Sequence, residues 1–321
     1  MSKTAFIFPG QGSQYVGMGK EFYENLPICR EVYDLASEVT GLDLPKLCFT
    51  ENEQIHQTEY TQICMLATET AIYMALEQNG YQPDVTAGLS LGEYGALVAS
   101  GVMTAEEAFE VVRKRGIYMQ QAVPTGGAMA AVLGLDGGKI EQICEQTEEQ
   151  MQLAVSVANY NCPGQIVISG KAEAVQAAGE ACKEAGAKRV VPLKVSGPFH
   201  SKLLMDAGKQ LREALNKVEI RENFVPYIAN VTADYVTEQT QVKPLLECQI
   251  YSPVRWQQTI ERMLADGVDE FVEIGPGRTL TGFLKKINPN VSCVSIDKLE
   301  DFEIKLKNQR VAVIGLGVSN I

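Results

Sequence analysis

A serine between two glycines lies at a strand-to-helix junction, a position that suits a nucleophile. Residues 88–92 read Gly-Leu-Ser-Leu-Gly, after a predicted strand over 85–87 and before a predicted helix over 91–100. At such a turn the G-x-S-x-G pattern exposes the serine hydroxyl, and the helix directs its free N–H groups toward the same point. Ser90 is therefore a candidate nucleophile that forms an acyl-enzyme. From spacing alone, the alternative is an ordinary turn before a helix.

A serine nucleophile needs a base, and the chain has two histidines. His56 lies in the polar stretch 52–57, which is typical of a solvated surface position. His200 follows a predicted buried strand and precedes a predicted helix, where open α/β sheets place active sites. A helix N-terminus also disfavours the imidazolium, so the neutral ring can accept a proton. His200 is the candidate base, and a packed loop histidine is the alternative.

Arg115 is the one charged residue on the apolar face of a predicted helix. Thr104 and Glu107 form a T-x-x-E capping box, and the helix is predicted to run from there to about residue 123. A buried guanidinium is costly unless it is paired. Three interpretations stand: a salt bridge to an internal carboxylate, a side chain that reaches solvent, or a bidentate clamp for a substrate carboxylate. The apolar face consists of Ala108, Val111, Val112, Met119 and Ala122.

Glycine-rich turns follow other predicted strands. Gln11 lies in the stretch 9–14, Pro-Gly-Gln-Gly-Ser-Gln, where glycines let a backbone N–H approach a ligand. An oxyanion hole needs two such donors, and the N–H groups of Gln11 and Leu91 are the candidates. A plain glycine turn is the alternative at Gln11. The Gly-Pro-Gly stretch 275–277 is predicted as a connecting turn, and turn chemistry alone explains Asn161.

The order of predicted elements indicates an α/β protein with two subdomains. Strands alternate with helices over most of the chain, which predicts a mostly parallel sheet covered by helices. Over 127–193 the order is βαββαβ, as in ferredoxin-like units. We therefore predict a large subdomain from 1–124 and 195–300, with an inserted ferredoxin-like subdomain over 125–194. The tail over 301–321 is expected to lie outside the catalytic fold.

Composition excludes several classes of protein. The net charge of −12 argues against nucleic-acid binding, and no apolar run is long enough to cross a membrane. The eight cysteines are scattered without a C-x-x-C pair, which favours reduced thiols in the cytoplasm over a disulfide framework or a zinc site. With two histidines, a histidine-rich metal centre is not expected.

Taken together, six segments resemble the malonyl-CoA:acyl carrier protein transacylases of type II fatty acid synthesis. The resemblance covers about residues 1–300 and implies an α/β-hydrolase-like large subdomain with a ferredoxin-like insert. It implies malonyl-CoA as donor, acyl carrier protein as partner and no permanently bound cofactor or metal. The matching segments, in order, are 9–14, 88–94, 115–120, 159–165, 197–201 and 273–277.

The resemblance also implies roles for single residues. Ser90 would attack the malonyl thioester and His200 would take its proton, forming a malonyl-Ser90 intermediate that passes the acyl group to the phosphopantetheine thiol in a ping-pong reaction. The backbone N–H groups of Gln11 and Leu91 would hold the oxyanion. The backbone carbonyl of Gln249 would orient His200 in place of a triad acid.

Other positions would select the acyl group. The resemblance implies that Arg115 pairs with the malonyl carboxylate and that Phe199 and Asn159 belong to the substrate pocket, where Phe199 would crowd an α-methyl group. Leu89 departs from the family, which usually has histidine there. The tail over 305–321 is similar to the start of a nucleotide-binding unit of Mur ligases but stops before its helix, and we expect no nucleotide binding.

Two other functions are compatible with parts of the sequence. An α/β-hydrolase-type esterase or thioesterase shares G-x-S-x-G, but that fold orders its triad as serine, acid, histidine and uses an HGGG-type loop that the sequence lacks. A carrier-binding module with an inactive site is suggested only by Leu89.

A carrier protein is acidic, so docking needs a local basic patch. The candidates are Lys183, Lys188, Arg189, Lys194, Lys285 and Lys286.

Overall fold

The computed structural model describes residues 2–195 and 197–307, which form two β-sheets and the helices around them. The described strands are β1 (Thr4–Phe8), β2 (Val85–Gly88), β3 (Gly127–Leu133), β4 (Val155–Cys162), β5 (Gln165–Lys171), β6 (Arg189–Pro192), β7 (Tyr227–Ala229), β8 (Asp234–Tyr235), β9 (Glu270–Ile274) and β10 (Ser292–Ile296). The described helices are α1 (Lys20–Asn25), α2 (Pro27–Thr40), α3 (Leu44–Phe49), α4 (Thr58–Gln78), α5 (Gly92–Ala99), α6 (Ala105–Ala122), α7 (Gly137–Met151), α8 (Ala172–Glu184), α9 (Met205–Leu215), α10 (Gln239–Gln249), α11 (Trp256–Ala265) and α12 (Thr279–Ile287).

The first sheet has the order β10-β9-β1-β2-β7-β8 among the described residues. Neighbouring strands are parallel except that β8 runs antiparallel to β7. Alternate residues of β1 enter two hydrophobic clusters, with Phe6 and Phe8 on one face and Ala5 and Ile7 on the other. A sheet buried on both faces is typical of parallel α/β proteins, and the predicted fold class is confirmed.

The second sheet has the order β4-β5-β3-β6, and its neighbouring strands are antiparallel. With α7 and α8 it completes the predicted βαββαβ unit in ferredoxin-like order. Residues Ala130 and Val132 of β3 pack with the two helices, whereas Met129 and Ala131 join the main hydrophobic core. This strand alternation gives the small sheet one face toward its own helices and one toward the rest of the molecule.

The two sheets are joined where β4 meets the segment before α11. Tyr160 N–H donates to the Val254 carbonyl at 2.9 Å, and Val254 N–H donates to the Ala158 carbonyl at 2.8 Å. The bridge fixes the end of β4, which carries Asn159, against the large body. The predicted limits of the two subdomains stay a prediction.

The start of the predicted tail, up to residue 307, packs against the rest of the described residues. Residues 299–307 are helical, and Phe302 is buried with its ring 6.0 Å from that of Phe22. Tyr81 also donates its hydroxyl hydrogen to the Lys305 carbonyl at 2.7 Å. Burial of this aromatic ring makes the start of the predicted tail part of the core. The predicted strand and G-x-G turn beyond residue 307 lie outside the described residues. Within those residues, no helix is both long and apolar enough to cross a lipid bilayer.

Candidate active site

The turn that carries Ser90 is tight, because Gly88 and Gly92 pack directly against other backbone atoms and leave no room for a side chain. A Cβ on Gly88 would lie 1.9 Å from the Gly92 backbone, and a Cβ on Gly92 would lie 2.1 Å from the Phe8 carbonyl oxygen. Ser90 itself has a φ of 56°, in the left-handed region that non-glycine residues rarely adopt. Its N–H donates to Asn230 Oδ1 at 2.6 Å. The predicted strand-turn-helix geometry is confirmed.

His200 lies within hydrogen-bond distance of the serine. Its ring Nε2 is 2.8 Å from Ser90 Oγ, and its ring Nδ1 is 2.8 Å from the Gln249 carbonyl oxygen. The backbone N–H of His200 donates to the Ile250 carbonyl. Burial, together with the nearby charge of Arg115, lowers the pKa of His200 to about 4. The ring is therefore neutral at neutral pH. Because a carbonyl oxygen only accepts, the ring proton lies on Nδ1 and Nε2 can accept from the hydroxyl.

Arg115 is fully buried beside the serine. Its Nη1 donates to Gln62 Oε1 at 2.7 Å, and its Nη2 donates to Gln249 Oε1 at 2.8 Å and to Ser90 Oγ at 3.2 Å. Its Nε is buried without an acceptor among residues 2–195 and 197–307, and its guanidinium carbon lies 5.6 Å from the centre of the Tyr94 ring. The side chain neither reaches solvent nor forms an ion pair with another described residue, so two of the three interpretations fail. The predicted capping box of its helix is confirmed.

Two backbone amides near Ser90 are available to a ligand. Within the described part of the chain, no acceptor contacts the N–H of Gln11 or of Leu91. The Gln11 side chain is held away, because its Nε2 donates to Thr58 Oγ1 at 3.0 Å. A Cβ on Gly10 would lie 2.6 Å from the Leu89 carbonyl oxygen. The loop before Gln11 therefore packs directly on the serine turn, as an oxyanion hole requires.

A cavity of about 220 Å³ extends from Ser90 between the two sheets. Phe199 and Asn159 line it, as the resemblance implies, and both are buried. Asn161 also lines it, and its buried Oδ1 has no hydrogen-bond partner in the described part of the chain, which turn chemistry alone did not predict. Most of its wall is apolar. The other apolar side chains that line it are Leu89, Leu91, Met119, Met129, Val167, Leu193, Val195, Leu280 and Phe283.

Sequence reasoning missed three polar residues behind the serine. Glu93 is fully buried on α5 and accepts from Gln249 Nε2 at 2.7 Å and from Asn230 N–H at 3.1 Å. Burial raises its pKa to about 7, while these hydrogen bonds and the charge of Arg115 act in the opposite direction. A carboxylate in the otherwise apolar segment 92–99 was the signal that could have found it. Asn230 and Gln62 gave no comparable signal.

The remaining sequence candidates lie elsewhere. His56 is exposed in a short 3-10 turn and contacts none of these residues. The stretch 275–277 connects β9 to α12, as predicted, and Glu273 caps that helix through the N–H groups of Leu280 and Thr281. Among the described residues, no group of three histidine, cysteine, aspartate or glutamate side chains is arranged to hold a metal ion. All eight cysteines are free thiols.

The parallel sheet, the serine turn and the histidine beside a cavity match the arrangement found in enzymes that act on acyl groups. The family model described as acyl transferase domain matches residues 5–298. The chain is an acyltransferase and belongs to this family.

Curated relatives sharpen this assignment. A malonyl CoA-acyl carrier protein transacylase of Bacillus subtilis (strain 168) is 46% identical over 309 residues, covering 96% of this chain and 97% of the relative. One from Staphylococcus aureus (strain MW2) is 44% identical over 303 residues, covering 94% and 97%. The resemblance identified from the sequence is confirmed.

Solved structures agree. The malonyl CoA-acyl carrier protein transacylase of Clostridium perfringens superposes with a TM-score of 0.93 at 41% identity, covering 98% of this chain and 100% of the other. A malonyl-transacylase solved in complex with its type II PKS acyl-carrier protein gives a TM-score of 0.92 at 39% identity, covering 96% and 100%.

Proposed function

We propose that this protein moves a malonyl group from malonyl-CoA to the phosphopantetheine thiol of acyl carrier protein through a malonyl-Ser90 intermediate. The observation that carries the proposal is a buried guanidinium beside the serine: Arg115 Nη2 lies 3.2 Å from Ser90 Oγ. A fixed cation at that distance suits an acyl group with a carboxylate near its reacting carbonyl. The names of the relatives support the same donor and acceptor.

In the first half-reaction, Ser90 Oγ attacks the thioester carbonyl carbon while His200 Nε2 takes the hydroxyl proton. The 2.8 Å contact between the two atoms and the neutral state of the His200 ring at neutral pH support this role. The tetrahedral intermediate then expels the CoA sulfur, and His200 returns the proton to it. Gln249 orients the ring through its backbone carbonyl, so no triad carboxylate is needed.

The amides of Gln11 and Leu91 stabilise the oxyanion of that intermediate. Both lack an acceptor among the described residues and both residues line the cavity at Ser90. Leu91 also precedes α5, whose N-terminal dipole favours negative charge. One such donor is worth about 3–4 kcal/mol of transition-state stabilisation.

Arg115 binds the malonyl carboxylate. Its present partners are neutral oxygens of Gln62, Gln249 and Ser90, and a carboxylate is a stronger partner for a guanidinium than these. Phe199 and Asn159 line the cavity, and the Phe199 ring disfavours an α-branched acyl group. Because one methyl is worth about 1–3 kcal/mol, we expect this preference to be partial.

In the second half-reaction the pantetheine thiol gives its proton to His200 and attacks the Ser90 ester. The C–O bond breaks, the serine oxygen regains a proton from His200, and malonyl leaves on the carrier protein. The reaction uses no permanently bound cofactor. The free thiols support a reducing compartment such as the cytoplasm.

Intact mass spectrometry tests the proposal directly. Incubation with malonyl-CoA alone is expected to add one malonyl group, mapped by digestion to Ser90, and addition of holo acyl carrier protein is expected to remove it onto the carrier. Absence of an adduct would contradict the proposal and favour a binding module. Rapid net hydrolysis without a thiol acceptor would instead favour a thioesterase.

A further inference from the structure

Glu93 is a buried carboxylate that forms no direct contact with a cation in the part of the chain that the structure describes. It lies three residues after Ser90 on α5, and its Oε2 accepts from Gln249 Nε2 at 2.7 Å and from Asn230 N–H at 3.1 Å. Among the described residues, the cation that acts on it is Arg115, and Gln249 lies between the two side chains. Burying a charge costs free energy unless hydrogen bonds compensate it, and Glu93 has two neutral hydrogen-bond partners.

The first partner, Gln249, connects the carboxylate to the guanidinium. Its Oε1 accepts from Arg115 Nη2 at 2.8 Å, and its Nε2 donates to Glu93 and, at 2.9 Å, to the Ser90 carbonyl. Because a guanidinium only donates and a carboxylate only accepts, the charges at the two ends fix which way the amide points. The backbone carbonyl of Gln249 also holds His200.

The second partner, Asn230, holds the serine turn at both ends. Its Oδ1 accepts from Ser90 N–H at 2.6 Å, and its Nδ2 donates to the Gly88 carbonyl at 2.6 Å. Its own N–H is fixed by Glu93. One carboxylate oxygen therefore anchors both residues that support the strained backbone of Ser90.

We propose that Glu93 is a positioning residue for acyl transfer. Its charge balances Arg115 through Gln249, and its hydrogen bonds to Gln249 and Asn230 keep Ser90, His200 and Arg115 in fixed relative positions. That this arrangement matters for malonyl transfer rests on the proposed function, whereas the effect of Glu93 on the reactivity of Ser90 does not.

The protonation state of the Glu93 carboxylate should therefore determine how fast Ser90 reacts. Burial raises the pKa of Glu93 to about 7, so it loses its charge as the pH falls through that value. Protonation removes the counter-charge of Arg115 and weakens the pull on the Gln249 amide. The charged or ionisable groups coupled to Glu93 are Arg115 on α6, Tyr94 on α5 and Tyr227 on β7.

The test compares Glu93→Gln and Glu93→Leu with the full chain. Glu93→Gln keeps an acceptor oxygen but has the charge of the protonated acid, whereas Glu93→Leu loses both. Glu69→Gln is the matched control, because Glu69 is also fully buried, lies on α4 and has no hydrogen-bond partner among the described residues. Labelling of Ser90 is followed by mass spectrometry with malonyl-CoA and with phenylmethanesulfonyl fluoride, which needs no carboxylate site.

We expect the unsubstituted protein and Glu69→Gln to lose labelling rate as the pH falls through about 7, the pKa of Glu93. Glu93→Gln should be labelled at every pH at the slow rate that the unsubstituted protein and Glu69→Gln show at low pH. Its labelling rate should therefore not fall near the pKa of Glu93. Glu93→Leu should be slower again, by roughly tenfold or more, since two buried donors lose their acceptor.

The proposal would be overturned if the labelling rate of Glu93→Gln still fell near pH 7, the pKa of Glu93. An unchanged labelling rate in Glu93→Leu would also overturn it. If Glu93→Leu fails to fold, the pH profile of Glu93→Gln decides alone. If malonyl-CoA gives no adduct but the sulfonyl fluoride shows the expected pattern, the proposed function fails and the positioning role of Glu93 stands. Failure of both reagents to label Ser90 overturns both.

Discussion

Ser90 and His200 face each other across 2.8 Å, and both have a left-handed backbone, with φ values of 56° and 58°. A non-glycine residue in this region costs about 1–2 kcal/mol, so the fold holds each half of the pair in an unfavourable conformation. The hydrogen bonds that hold them run from Ser90 N–H to Asn230 and from His200 N–H to Ile250. Strain of this kind persists where the surroundings over-determine it, as at functional sites.

The strained backbone at Ser90 predicts that a glycine there makes the protein more stable but inactive. Ser90→Gly removes the Cβ penalty and keeps the N–H donor to Asn230, so its free energy of unfolding should exceed that of Ser90→Ala by about 1 kcal/mol. Neither variant should form an acyl adduct. Urea unfolding of both variants measures the difference. Equal stability would show that the turn is not strained.

Removal of the histidine should slow acylation. His200→Ala is expected to lower the rate of Ser90 acylation by about 10²–10⁴-fold, because the serine loses its base. Since the pKa of His200 is lowered to about 4, its ring is neutral at about pH 8 and above, where Glu93 is charged as well, and the loss should be equal at about pH 8 and pH 9. Quenched-flow mass spectrometry measures it. His56→Ala, at the exposed histidine, is the control and should react normally.

Arg115 should control which acyl group is accepted. Arg115→Ala is expected to lose about 10- to 100-fold in kcat/KM for malonyl-CoA while gaining relative reactivity toward acetyl-CoA, because a charge-assisted hydrogen bond is lost for one donor only. Competition between the two donors gives the ratio. Lys114→Ala, next along the helix and paired with Glu110 at the surface, should leave it unchanged. An unaltered ratio in Arg115→Ala argues against the carboxylate clamp.

The loop of Gln11 should tolerate no side chain at Gly10. A Cβ there would lie 2.6 Å from the Leu89 carbonyl oxygen and 2.9 Å from Leu89 Cδ2, so the loop must shift and carry the Gln11 amide with it. Gly10→Ala should therefore lower the acylation rate by about 100-fold, the cost of one oxyanion donor. Gly138→Ala on α7, where the nearest atom is 3.4 Å away, is the control. A normal rate in Gly10→Ala would argue against this donor.

The carrier protein should dock near α12. Lys285 and Lys286 are exposed on this helix, which also contributes Leu280 and Phe283 to the cavity. Reversing both charges should raise KM for holo acyl carrier protein about tenfold at low salt and leave acylation by malonyl-CoA unchanged, since the effect is electrostatic. Lys183→Glu on α8, exposed but away from the cavity, is the matched control. If both variants transfer equally well, docking lies elsewhere.

The sequence predicted the parts of the site that have local signals. Ser90 stood out because glycines flank it at a strand-to-helix junction, and His200 because the chain has two histidines. Arg115 was visible from helical spacing, and it lies on a buried face as predicted. The roles of these residues stay predictions, but their positions follow from periodicity and turn chemistry, which are properties of short segments.

The polar network behind the serine has no such signal. The hydrogen bonds of Glu93 reach Asn230 and Gln249 across 137 and 156 residues of sequence. Contacts of this range depend on how α10 and the end of β7 meet α5, which no local pattern specifies. The same limit applies near residue 300, because only the packed helix reveals that Phe302 is buried.

The cavity has two walls of different origin. The groups that contact Ser90 and Arg115 come from the parallel-sheet body, whereas Met129, Val167, Leu193 and Val195 belong to the antiparallel sheet and the chain that leaves it. Substitutions in the second wall reshape the space for the acyl group without touching the reacting atoms. The antiparallel unit therefore shapes one wall of the cavity, and substitutions there would alter which acyl groups fit while the contacts of Ser90 and Arg115 stay unchanged.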